Sequence, residues 1–435
     1  MYVTLSFEVH QPIRFRRKIG NSSNIFEKFI DDEMNKYFFS RIANKCYFKA
    51  NNIILELIDN FKKEKKKFKV SFSFSGTFLE SAEKYNKDVL ESFKELAKRK
   101  KYVEIIAETY YHSLASIYED PSEFIEQIEM NVQAIKDYFG RNPKTFINTE
   151  MIFNNRIAKI VEELGFKAIF TEGTERILQW RSPNYVYVRK YCFEDDPEPS
   201  KRIKILLRNY RLSDDIAFRF SARDWDQWPL TADKYAAWLA ATPGQVINIY
   251  IDYETFGEHH WEESGIFWFL RALPFHVNKY NNLEFALPNE VIKNLRPVGE
   301  YDVFEFNTIS WADTEKDLSA WIGNKMQQTF FEEIKKLEKE IKSLNDEEIL
   351  KTWRYFQQSD FLYYMCIKSK ADNDVHQYFN PYGNVFEVFS DFMNLLAEFK
   401  AIIRTRRILK EIRELIKIKE IEMEKNELEE LKRIC

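Results

Sequence analysis

The sequence predicts an α/β fold: a barrel of parallel strands alternating with helices, followed by a helical C-terminal third. Two observations predict it. Short runs rich in β-branched and aromatic residues recur up to residue 253 with helix-period segments between them. After about residue 314 such runs stop and apolar residues recur at helical spacing instead. Alternating strands and helices argue for a parallel sheet, and seven or eight such units fit a barrel.

The strand-like runs are Val3–His10, Lys69–Thr77, Val103–Tyr111, Thr145–Met151, Ala168–Thr171, Ile203–Tyr210 and Gln245–Tyr253. Helical stretches cover roughly Asn51–Lys65 and Leu79–Lys98, and a third opens at Asp120-Pro121-Ser122-Glu123. There an acid at the N-cap, Pro at the first helical position and Glu two residues later form a helix start. Further on, Phe330, Ile334, Leu337, Ile341 and Leu344 line one face of an amphipathic helix. Asn345 with Glu348 predicts a cap for the next helix, reaching about Lys368, and a last helical region runs through Ile408, Ile412 and Leu415. The division expected is a catalytic barrel over 1–300 and a helical domain over 301–435 that contributes to the cleft. No internal repeat is present.

Composition narrows the function. The chain has 435 residues, 38 Phe, 23 Tyr and 9 Trp against 11 Gly and 6 His, and is 45% hydrophobic. That excludes disorder and repetitive linkers. A formal charge of −4, with no dense basic block, excludes nucleic acid as the expected partner. No apolar run approaches the roughly 18 residues needed to span a bilayer, and the N-terminus has no leader pattern. A cytoplasmic protein with no membrane partner is expected, and the wealth of Lys, Glu and Ile suits a thermophilic source. Cys46, Cys192, Cys366 and Cys435 are too scattered for a disulfide framework or a CxxC metal motif. Oligomeric state is not readable.

In parallel α/β folds the site lies at the carboxyl ends of the strands. Polar clusters end the runs at His10-Gln11-Pro12, at Glu108 to Ser113, at Asn148-Thr149-Glu150 and at Asp252 to His260, and another lies at Thr308 to Asp313. Four of the six His fall in them. A single acid at a strand end is commonly a cap or an ion-pair partner. Two at different ends, accompanied by His and Trp, favour a cleft, so Glu150 and Asp252 form the natural carboxylate pair for glycoside hydrolysis.

These residues resemble glycoside hydrolase family 57, its archaeal α-amylase-type branch most closely. The resemblance rests on His10-Gln11-Pro12, Tyr110-Tyr111-His112-Ser113, Phe146 to Glu150, Asp252 to His260, and Trp311-Ala312-Asp313 through Trp321. It implies an incomplete (β/α)7 TIM-like barrel followed by a C-terminal α-helical bundle domain. It also implies a retaining mechanism on α-1,4-glucans, with Glu150 as nucleophile and Asp252 as acid/base. The charge of Glu150 would then raise the pKa of Asp252 so that it holds a proton near neutral pH.

His10 and His112 are expected to bind sugar hydroxyls or orient the carboxylates, and His259, Trp261, Trp311 and Asp313 to line the cleft. Glu254, two residues from Asp252, is expected to tune its proton or to pair with Arg208 or Arg211. Asp214-Asp215 reads as supporting structure. No cofactor or metal is expected: a zinc-dependent carbohydrate enzyme would begin with a His-x-Asp pair, whereas Gln11-Pro12 follows His10, and adjacent His259-His260 cannot easily chelate one ion. The partner expected is an α-glucan or maltooligosaccharide. The alternatives are a 4-α-glucanotransferase or branching enzyme of the same fold, and a non-catalytic glucan-binding protein.

Overall fold

A computed structural model describes residues 1–190, 198, 201–368 and 380–434. Cys192 and Cys435 lie outside the described residues, whereas Cys46 and Cys366 are free and buried. The chain forms two compact units. The first comprises Met1–Arg14, Asp32–Gly323 and Gln358–Asp360, the second Phe15–Asp31, Asn324–Gln357 and Phe361–Cys435. The units do not follow a single cut at 300: residues 301–323 join the first, and 15–31 join the second.

In the first unit the strands are β1 (Tyr2–Val9), β2 (Val70–Phe74), β3 (Val103–Ile106), β4 (Thr145–Ile147), β5 (Ala168–Glu172), β6 (Val186–Arg189), β7 (Lys204–Arg208), β8 (Val246–Asp252), β9 (Glu284–Phe285) and β10 (Glu300–Tyr301). Seven of them, in the order β1-β2-β3-β4-β5-β7-β8 and back to β1, run parallel and close a ring. This is the seven-stranded barrel, and its strands are the seven runs read from the sequence. Between β3 and β4 the ring is held by one residue: the Ala107 N–H donates to Thr145 O at 3.0 Å and its carbonyl accepts from the Ile147 N–H at 2.9 Å. The short β6, unforeseen in the sequence, lies antiparallel to β7 and carries β10, while β9 flanks β1.

Strand alternation sorts the residues. Thr4, Ser6 and Glu8 of β1 share a face with Ser71 and Ser73 of β2 and with Asn248, Tyr250 and Asp252 of β8. Thr4 Oγ1 donates to Asn248 Oδ1 at 2.9 Å, Ser6 meets Ser71 at 2.7 Å, and Ser73 meets the Tyr250 hydroxyl at 2.7 Å. Elsewhere on this inner face Ile106, Ile147, Phe170, Leu206 and Val246 close an apolar cluster. The opposite face packs aromatic rings: Phe7 lies 5.0 Å from Tyr253, Phe72 lies 5.7 Å from Phe93, and Phe74 lies 4.9 Å from Phe139, as ring centroids. Each such pair adds about 0.5–1.5 kcal/mol beyond area burial.

The helices follow their signals, with breaks where local caps intervene. The segment 79–98 is two helices, Gly76–Tyr85 and Lys87–Ala97. Asn86 at φ −160° ends the first, and its side chain accepts from the Asp88 N–H of the second. The helix Ser122–Phe139 starts where Asp120 Oδ1 accepts from the Ser122 N–H at 2.9 Å. In the second unit the stripe from Phe330 to Leu344 divides into Lys325–Lys335 and Glu338–Leu344. Asn345 terminates the latter in the left-handed region, so Asp346, not Asn345, caps the next helix. That helix, Glu347–Phe356, stops well short of 368. Phe15, Phe29, Phe356 and Phe399 form this unit's aromatic core, with Phe15 and Phe356 at 4.6 Å. The last helix spans Val385–Ile434. No helix among the described residues is long and apolar enough to cross a membrane.

Candidate active site

Four strand ends deliver the carboxylates. Glu8, near the end of β1, stands opposite Asp252 of β8 in register and hydrogen-bonds it. Beyond β3 the chain places Glu108 and then His112, whose φ is +48°. Beyond β4 come Glu150 at φ +56° and Met151 at φ +52°. Two successive non-glycine residues in the left-handed region store strain, commonly about 1–3 kcal/mol each, and here they aim Glu150 out of the strand direction.

Glu150 is held at both oxygens. Oε2 accepts from Trp311 Nε1 at 2.8 Å, Oε1 accepts from Ser359 Oγ at 2.9 Å, and His112 Nε2 stands 3.5 Å from Oε1. The Trp311 N–H also donates to the Glu150 carbonyl at 3.2 Å. On its other side His112 places Nδ1 at 3.4 Å from Glu108 Oε1. The His10 ring stacks on His112 at 3.9 Å between centroids, with Nδ1 at 2.8 Å from Ser75 Oγ and Nε2 at 3.0 Å from Asp360 Oδ2.

Residues 4–304 match the model of glycosyl hydrolase family 57. The chain belongs to that family. It is 52% identical over 413 residues to a Methanocaldococcus jannaschii protein named "Putative alpha-amylase", across 93% of this chain and 85% of that one. A branching enzyme of the same family from Pyrococcus horikoshii aligns with 93% of this chain and 94% of its own at 15% identity, TM-score 0.61. The 4-alpha-glucanotransferase of Thermococcus litoralis aligns with 90% of this chain at 19% identity, TM-score 0.55. This chain spans only 55% of that enzyme's length. At such identities the two structures establish fold.

In this family 57 glycosidase the charges at the strand ends are strongly interdependent. Burial and then the Glu150 charge push Asp252 up to about 6, against Arg208 and His112. Burial raises Glu8 well above the carboxylate range, reinforced by Glu108, Asp252 and Glu150 and opposed by His112. Burial disfavours the imidazolium of His112, but Glu8, Glu108 and Glu150 more than offset it, and its pKa rises well above the usual value. His10 is lowered, by burial and then by His112, with Asp360 opposing. The stacked pair is thus a cationic His112 under a neutral His10. Arg208 pairs with Glu172 at 3.0 Å and Asp214 at 2.5 Å, and its guanidinium lies 5.6 Å from the Trp311 ring.

The structure brings Glu150, Asp252, His10, His112 and Trp311 together, whereas Glu254 and Trp261 direct their contacts elsewhere. Glu254 accepts from the Tyr47 hydroxyl, and burial raises it to about 8. It pairs with neither Arg208 nor Arg211, because both arginines already have their own acids, Arg208 binding Glu172 and Asp214 and Arg211 binding Glu175. Trp261 is 63% exposed, with the Lys45 ammonium 5.3 Å from its ring centre. His259 is half-buried, lowered to about 3 by burial and by His260, and Asp313, at φ +55°, follows Trp311 in its loop. His260 turns to Ser221 Oγ at 2.8 Å and the Ala217 carbonyl at 3.0 Å.

Glu8, Ser359 and Asp360 were not anticipated as site residues, and Glu108 only as the start of the polar cluster that ends its strand run. Glu8 had a signal, since period 2 puts it on the face of His10. Ser359 and Asp360 had none, because they sit inside what the sequence presents as a continuous helix. Glu8, Glu108 and His112 offer one ligand atom each within 4.8 Å of one another, and Glu108 Oε2 is buried without a partner. They are the described residues that could hold a cation, although the imidazolium already supplies a positive charge there.

Proposed function

We propose that the chain hydrolyses α-1,4-glucans with retention of anomeric configuration, by double displacement. The observation that carries this reading is the unequal treatment of two carboxyl groups at neighbouring strand ends. Glu150 is fixed by two donors, while Asp252 is held protonated up to about pH 6. Glu150 attacks the anomeric carbon as Asp252 passes its proton to the glycosidic oxygen. The leaving chain departs, and a glycosyl ester on Glu150 remains. Asp252, now a base, takes a proton from water, which attacks the same carbon and frees Glu150. His112 steadies the charge of Glu150, and Ser359 and Trp311 fix its plane.

Neutral His10, partly open at the mouth, hydrogen-bonds a sugar hydroxyl. Glu254 tunes Asp252 through the shared strand end. His259, Trp261 and Asp313 contact more distant glucose units, the Trp261 ring serving as an apolar platform. The name carried by the Methanocaldococcus jannaschii relative supports an amylase reading. Incubation with maltoheptaose tests it: only shorter chains are expected, and products longer than the substrate would replace hydrolysis by transfer. The Glu150→Gln variant is expected to lose activity by at least about 10³-fold, since a nucleophile cannot be bypassed. Equal reducing-end release by variant and wild type would leave a glucan-binding protein.

A further inference from the structure

The last helix changes character along its length. Val388, Phe392, Leu395, Phe399 and Ile403 are buried in the second unit. Past Ile403 the helix makes its final side-chain contacts there, Arg407 to Glu340 at 2.9 Å and Lys410 to the Ser343 carbonyl at 2.7 Å. From Glu411 to Asn426 every residue is exposed, although the helix continues to Ile434. Helices draw most of their stability from packing an amphipathic face, and this stretch has none within the described residues.

It nevertheless carries such a face. Leu409, Ile412, Ile416 and Met423 recur at the 3-4-7 spacing of a coiled-coil seam, flanked by Ile408 and Leu415. These six side chains are 44% to 63% exposed. The charges around them are segregated. Arg404, Arg406, Arg407, Lys410 and Arg413 precede residue 417 against Glu411 and Glu414, and up to residue 430 Glu420, Glu422, Glu424, Glu427, Glu429 and Glu430 follow it against Lys419 and Lys425.

We propose that this stripe pairs with the same helix of a second copy of the chain, antiparallel and centred near residue 417. In that arrangement the basic segment 404–413 of each copy faces the acidic segment 420–430 of the other, and the apolar seams meet between them. A parallel pairing would set base against base and acid against acid, so the charge order selects both partner and direction. Lys419 interrupts the seam, which keeps it from being uniformly apolar.

Sedimentation equilibrium of the full chain across the micromolar range at low salt is the test, with a dimer mass expected. The Ile412→Glu/Ile416→Glu variant is expected to sediment as a monomer while keeping its helix content and its glucan hydrolysis, since neither residue touches the strand-end site. A second variant, Glu420→Lys/Glu422→Lys/Glu424→Lys, leaves the stripe intact. Antiparallel pairing then sets lysine against arginine and weakens the dimer at least about tenfold, and mixing with an Arg404→Glu/Arg413→Glu chain restores it. A wild-type monomer at every concentration, or a dimer indifferent to the Ile412/Ile416 change, would overturn the proposal. So would a dimer indifferent to the lysine variant, the signature of a pairing in which residues 420–424 do not face the basic segment.

Discussion

Ser359 Oγ and Trp311 Nε1 each give one hydrogen bond to the carboxylate on which catalysis is proposed to turn. A hydrogen bond to a charged group contributes about 1.5–3 kcal/mol, so Ser359→Ala and Trp311→Phe are each expected to lower kcat/KM by roughly 10- to 100-fold. Maltoheptaose kinetics check this, and an unchanged rate would remove that side chain from the mechanism. Asp252 must be protonated to donate, and its pKa of about 6 therefore sets the upper limb of the rate profile. The kcat/KM is expected to fall as pH rises through about 6, and Asp252→Asn to erase that limb along with about 10²- to 10⁴-fold of the rate. Glu150 and Asp252 were legible because they end apolar strand runs inside recognisable motifs. Ser359 was not legible, since the position of a hydroxyl more than 200 residues downstream of Glu150 depends on tertiary path alone.

Elements obeyed their periodicity and broke where a single capping residue competed with it. All seven barrel strands could be read because their outward residues are mostly β-branched or aromatic. β6 was not read, since it lies antiparallel to β7, outside the alternation of parallel strands and helices on which the reading rested. The splits at Asn86 and near Lys336 were invisible to an apolar stripe that continues across them. Barrel closure concentrates on Ala107, whose N–H and carbonyl both bond β4. Ala107→Pro removes the donor, and a loss of about 3 kcal/mol or more is expected in urea unfolding. The loop after β8 depends on Gly257, at φ +104°, where an added Cβ would lie 2.1 Å from the Lys45 carbonyl oxygen. Gly257→Ala is expected to cost at least about 1–3 kcal/mol by the same measurement, and a neutral result would mean the loop can move aside.

Across the molecule, burial pushes several carboxyl groups above the usual carboxylate range. Burial raises Glu104 to about 7 against its bonds from the Asn289 N–H and Thr145, and raises Glu254 to about 8. Such groups hold their protons longer folded than unfolded. The stability they contribute is complete below about pH 4.5, and it is lost as pH climbs to about 8. Urea unfolding at pH 5 and pH 8 is expected to show the higher stability at pH 5, with the gap narrowed in Glu254→Gln. The path of the chain at 358–360 has a further consequence, in time. A ribosome adding about 5–20 residues per second takes roughly 20 to 70 seconds to reach Ser359. Until then Glu150 lacks one of its two side-chain hydrogen bonds and His10 lacks its acid. Synthesis itself therefore delays completion of the candidate site until residues 358–360 have been made.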